Sequence, residues 1–173
     1  ALTPQQQAAL LEFMEQDTYC RRYRDLFLIL LHTGLRAGEC AGLTVEDIHL
    51  HSGYLQVDHQ VYYSPEQGGM VWAPPKTEKS CRKIPLTAPA AEALQRRILV
   101  ARQFGRCQVI GQRRHFLFPC LNGSRPLHGV DFDRIFRNVH RRYAQSGGIP
   151  IAALTPHILR HTFCTGLVRR GLD

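Results

Sequence analysis

Apolar side chains recur at helical spacing towards both ends of this chain and at strand-like spacing in its middle third. Thr3-Pro4-Gln5-Gln6 reads as a helix start, with Thr3 as cap and Pro4 in the first position, and Leu10, Leu11, Phe13 and Met14 form the apolar face behind it. Arg21 to His32 predicts a second helix on Leu26, Phe27, Leu30 and Leu31. It stops at Thr33-Gly34, where glycine can adopt the left-handed cap conformation. A short helix is expected from about Arg36 to Ala41, and Thr44 caps a brief turn. Tyr54 to Asp58, extending towards Val61-Tyr62-Tyr63, then Met70 to Trp72 and Arg82 to Leu86, read as strands separated by Gly68-Gly69 and the polar run 77–80. Pro74, Pro75 and Pro85 confine their segments to sheet edges or strand ends.

Helical periodicity returns at Ala88 to Gln103, with Ala91, Leu94, Ile98 and Ala101 on the inner face and Arg96, Arg97 and Arg102 outside. Gly105 to Arg114 is a polar, basic loop, Phe116 to Pro119 a short extended core segment, and Asn122 to Pro126 a turn. Val130 to Tyr143 predicts a helix on Phe132, Ile135, Phe136 and Val139, and a last helix opens at Pro156. The expected fold class is α+β, mostly helical, with a small antiparallel sheet of three strands. At 173 residues the chain fits one domain with a substantial core, with two small lobes as the alternative.

Charge sharpens this picture. The net charge is +8, yet residues 1–60 carry four arginines against eight carboxylates, so the excess of positive charge belongs to the remainder. A basic half of this kind suits a polyanion. Only Lys76, Lys79 and Lys83 are lysines among the 22 basic residues, and arginine's planar fork matches phosphate oxygens. No apolar run is long enough to span a bilayer, and no secretory pattern opens the sequence, so no membrane partner and a cytoplasmic location are expected. The six cysteines have no C-x-x-C spacing, which argues against a zinc ribbon or a disulfide framework. Several, including Cys164 beside Phe163, read as buried thiols.

The densest chemistry lies in Thr155-Pro156-His157-Ile158-Leu159-Arg160-His161-Thr162. His157, Arg160 and His161 fall at i, i+3 and i+4, so a helix places them on one face beside its partly positive N-terminus, where an anion can bind. A capped surface helix with merely solvated charges would read the same way. Two further stretches favour function: Thr33-Gly34-Leu35-Arg36-Ala37-Gly38-Glu39, and Lys76-Thr77 in a basic hairpin that ends in Ile84-Pro85-Leu86. By themselves, Arg36 and Glu39 could be a surface ion pair and Lys76 a solvated turn lysine.

In this order, T-G-L-R-x-x-E, the hairpin lysine and H-x-L-R-H-T resemble the catalytic domain of tyrosine recombinases, the phage-integrase family, over nearly the whole chain. The resemblance implies that Arg36 and Arg160 clamp a scissile phosphate and that Lys76 protonates the departing 5′ oxygen. His157 would assist proton transfer from the attacking tyrosine. Glu39 would orient Arg36, Asp47 would buttress the site, and Lys79, Arg82, Lys83 and His161 would contact the DNA backbone. The reaction would be site-specific exchange of double-stranded DNA through a 3′-phosphotyrosyl link, with no cofactor and no metal, by a full-length protein assembled as a multimer on DNA.

In the family the nucleophilic tyrosine follows H-x-x-R, whereas Tyr19, Tyr23, Tyr54, Tyr62, Tyr63 and Tyr143 all precede it. Residues 1–173 are therefore expected to form a partial catalytic domain, without the preceding DNA-binding domains or the tyrosine segment, that binds DNA weakly and does not cleave it. Alternatives are a type IB topoisomerase, a non-catalytic DNA-binding module, and a metal hydrolase using His157 and His161. The last lacks the glutamate of a zinc-protease helix, since Ile158 follows His157.

Overall fold

A computed structural model describes residues 1–75, 80–103 and 108–171. In chain order the elements are α1 (Pro4–Gln16), a 3-10 turn (Arg21–Tyr23), α2 (Arg24–Thr33), α3 (Ala37–Gly42), a second 3-10 turn (Val45–Asp47), and the strands β1 (Ile48–His49), β2 (Tyr54–Val57), β3 (Gln60–Ser64), β4 (Gly69–Ala73) and β5 (Arg82–Pro85). Helices α4 (Ala88–Gln103), α5 (Gly129–Gln145) and α6 (Pro156–Arg169) follow. They group into two compact units, one of Ala1–Arg36 with Val130–Asp173, the other of Ala37–Gly129.

The first unit is helical. Thr3 and Gln6 form a reciprocal capping box at the start of α1, with Pro4 behind it. In α2, every residue from Leu26 to Leu31 is buried, so packing rather than amphipathic patterning holds this helix. At roughly 1.5–3 kcal/mol for each buried Leu, Ile or Phe, that run contributes more than intrinsic helix propensity can. Phe27 stacks on Phe136 of α5 with ring centroids 4.3 Å apart, and Phe13 meets Tyr143 edge-on at 5.5 Å. The Leu2 amide donates to Thr162 Oγ1 at 2.8 Å, which ties the start of the chain to α6.

The second unit contains the strands, but not in the expected grouping. The three-stranded antiparallel sheet has the order β1-β2-β5, while β3 and β4 form a separate two-stranded hairpin. The expected continuous strand from Tyr54 to Tyr63 is interrupted at Asp58-His59, and the Met70 to Trp72 segment belongs to the hairpin instead of the three-stranded sheet. The interruption has a side-chain cause: the His59 ring is buried, with Nδ1 2.6 Å from Asp58 Oδ1 and Nε2 2.7 Å from the Gly42 carbonyl. Helix α4 is turned relative to expectation, burying Ala90, Ala93, Leu94 and Ala101. Arg97, expected outside, is half-buried: its Nε and Nη2 donate to the Leu117 carbonyl at 2.9 and 2.8 Å, and its guanidinium lies over Phe118.

Among the described residues no helix is long and apolar enough to cross a membrane. The cysteine expectation holds for Cys20 and Cys40, which are buried, and fails for Cys164, which is exposed, as is Cys81. Cys164 follows Phe163 in sequence but lies on the solvent side of α6.

Candidate functional site

In the helical unit, α2 ends at Gly34, whose φ of +61° lets its amide close on the Leu30 carbonyl at 3.0 Å. A Cβ at this position would sit 2.3 Å from Phe163 Cδ1, so the ring of α6 lies directly against the turn. Arg160 Nη1 donates to the Gly34 carbonyl. That bond and the aromatic contact join α6 to the turn that delivers Arg36 two residues later. Leu35 is fully buried between them in sequence, which anchors the segment and leaves Arg36 exposed.

At the start of α6, the Thr155 hydroxyl accepts from the Ile158 amide at 3.2 Å and Pro156 occupies the first turn. Leu159 and Thr162 are the buried side of this helix, so His157 and His161 face outward, their rings edge-to-face with centroids 4.5 Å apart. Arg160, half-buried, lies between these faces. Nearby on α2, burial and then the Arg170 charge hold the His32 imidazole below its ordinary pKa. Arg160, bonded to the Gly34 carbonyl, thus lies against the turn that leads to Arg36, and two guanidinium groups suit an anion that offers several oxygens.

The second unit treats its candidate residues differently. Glu39 is buried in α3, and Arg82 of β5 grips it with two bonds, Nη1 to Oε1 at 3.0 Å and Nη2 to Oε2 at 2.8 Å, while Nη1 also donates to the Ser80 carbonyl. Arg82, expected as a DNA-backbone contact, is thus a brace between helix and sheet. Asp47 is also buried: its Oδ2 accepts from the Thr44 amide and hydroxyl at 2.8 and 2.7 Å, and its Oδ1 faces Arg113 Nη1 at 3.3 Å. Lys83 is exposed on β5 with Nζ 4.5 Å from the centre of the Tyr54 ring, which itself stacks on His49. Lys76 and Lys79 lie outside the described residues.

Three participants escaped sequence reading: His59, Arg113 and Arg97. Each acts through a partner 17 or more residues away, and no local spacing announces such a pair. Asp47, Asp58 and His59 offer ligand atoms within 4.8 Å of one another. Their oxygens and nitrogens already engage Thr44, Arg113 and Gly42, so this cluster reads as a hydrogen-bonded support for the turn that carries Asp47.

The model of the phage integrase family matches residues 1–173. The chain is 33% identical over 174 residues to the transposase from transposon Tn916 of Enterococcus faecalis, covering 99% of this chain and 42% of that protein. It is 30% identical over 153 residues to the tyrosine recombinase XerD of Proteus mirabilis, covering 88% of this chain and 41% of that one. The solved structure of the Tn1549 transposon integrase in complex with circular intermediate DNA superposes with a TM-score of 0.89 at 34% identity, over 99% of this chain and 55% of that chain. The chain thus spans about half or less of the length of the curated relatives it matches.

Proposed function

The chain belongs to the phage integrase family of tyrosine recombinases, and on that premise we propose that it carries the phosphate-binding half of a site-specific DNA recombination centre. Arg36 and Arg160 clamp the non-bridging oxygens of one phosphodiester and offset the charge that builds up as phosphorus becomes pentacoordinate. His157 hydrogen-bonds the same phosphate and assists removal of the nucleophile's proton, and Lys76 protonates the departing 5′ oxygen. The bond that breaks is P–O5′, and the bond that forms is to a tyrosine oxygen. Its energy is retained, so the released 5′ hydroxyl can reverse the step without a nucleotide cofactor.

Glu39 and Asp47 hold the scaffold. Lys79, Lys83 and His161 contact the DNA backbone, with Arg82 supporting through Glu39. The full-length protein acts as a multimer on double-stranded DNA. The six tyrosines in residues 1–173 precede His157, and Tyr143 is buried, so these residues alone bind DNA without cleaving it.

The observation that carries this reading is the bond from Arg160 to the Gly34 carbonyl, which brings the H-x-x-R helix against the turn that presents Arg36. The test uses the protein expressed from its complete reading frame, incubated with nicked suicide duplexes. Wild type yields covalent protein–DNA adducts, and Arg36→Ala or Arg160→Ala lowers their rate by about a hundredfold or more. Adducts at the wild-type rate in both variants would overturn the assignment. Joining of strands from two duplexes, rather than relaxation of supercoils alone, distinguishes a recombinase from a topoisomerase, and failure to form adducts leaves a DNA-binding module.

A further inference from the structure

Among the described residues, the only non-glycine positions with positive φ are Gln112, at 64°, and His115, at 53°. They lie three apart in one basic segment of the second unit, around Arg113 and Arg114. Ile110 and Arg113 exchange both backbone bonds, Ile110 N to Arg113 O at 3.2 Å and Arg113 N to Ile110 O at 2.9 Å, which closes a two-residue hairpin over Gly111-Gln112. Positive φ at both central residues marks a type I′ turn, whose second position strongly favours glycine. Gln112 is a costly choice there if the turn has only to reverse the chain.

The surroundings hold this tip rigidly. Ile110 is buried with Val61 and Phe116. Trp72 of β4 lies so close on Gly111 that a Cβ there would be 2.4 Å from the indole Cγ. Arg113 is drawn inward to Asp47 Oδ1. Gln112 and Arg114 are both exposed, and neither makes a hydrogen bond or ion pair among the described residues. The backbone therefore spends conformational strain to display an amide and a guanidinium that the fold itself does not use.

We propose that the Ile110–Arg113 hairpin is a DNA-reading tip, in which the Gln112 amide recognises a base edge and Arg114 an adjacent phosphate. The inference rests on the DNA-acting reading given above. A glutamine amide offers one acceptor and one donor side by side, matching N6 and N7 of adenine in the major groove. A guanidinium beside it supplies the sequence-independent contact that sets register.

Selection of bound duplexes from a fully randomised library tests this. Wild type enriches adenine at one position. Gln112→Gly, which relieves the backbone strain and melts at an equal or higher temperature, loses that preference by about tenfold. Arg114→Ala weakens binding to all duplexes alike and lowers the slope of log affinity against log salt by about 1. The same adenine enrichment in Gln112→Gly, or no base preference in wild type, overturns the proposal while leaving the recombinase reading intact. If wild type binds no duplex at all, both fall together.

Discussion

Substituting Gly34 by alanine tests the junction on which the helical unit depends. The backbone there has φ +61°, where an L side chain costs about 1–2 kcal/mol. The new Cβ would also stand 2.3 Å from Phe163 Cδ1, far inside contact distance, and α6 is held in place by Thr162 and by Arg160. Displacing a packed ring of this kind costs about 1–3 kcal/mol. The two contributions together give about 3 kcal/mol, or a fall in Tm of roughly 6–12 °C for a chain of this size. They can be separated by a double-mutant cycle followed by urea denaturation. In a Phe163→Ala background the collision is gone and only the backbone cost remains, so Gly34→Ala should then cost about 1 kcal/mol, leaving a coupling of about 2 kcal/mol between the two positions. Equal losses in both backgrounds would show that the ring does not press on the turn, and the account of how α6 meets Arg36 would fail with it.

Removing Arg82 leaves the Glu39 carboxylate buried without its bidentate partner. Arg82→Ala should therefore destabilise by about 3 kcal/mol, and replacing both residues by methionine should recover most of that in denaturant titrations. Asp17 gives a pH signature. Burial would raise its carboxyl pKa, but bonds from Arg142 and Cys20 outweigh this and lower it from 3.8 to about 2. A depressed folded-state value means stability that is fully present above about pH 4 and lost as pH falls towards 2, so Asp17→Asn should flatten that limb of a stability–pH curve.

The caps at Thr3 and Thr155, the stop at Gly34 and the neighbouring outward rings of His157 and His161 were legible in the sequence because each is decided within about one helical turn. The grouping of strands was not. Tyr54 to Tyr63 alternates like one strand, and only the burial of His59 against Gly42, 17 residues away, breaks it. The rotation of α4 is similar: Arg97 looks like an outward charge until the Leu117 carbonyl, 20 residues on, is found to need a donor.

The site divides in the same way. Residue types and helical periodicity pointed to an anion site at His157 and Arg160, and only the resemblance of the ordered motifs to the tyrosine recombinases joined Arg36 to it. Which carboxylate each cation meets was decided only by the tertiary fold. Glu39 is gripped by Arg82, 43 residues distant, and Asp47 faces Arg113 across 66. Burying a carboxylate forces it to find a donor, and the donor that arrives is set by how the chain closes rather than by proximity in sequence.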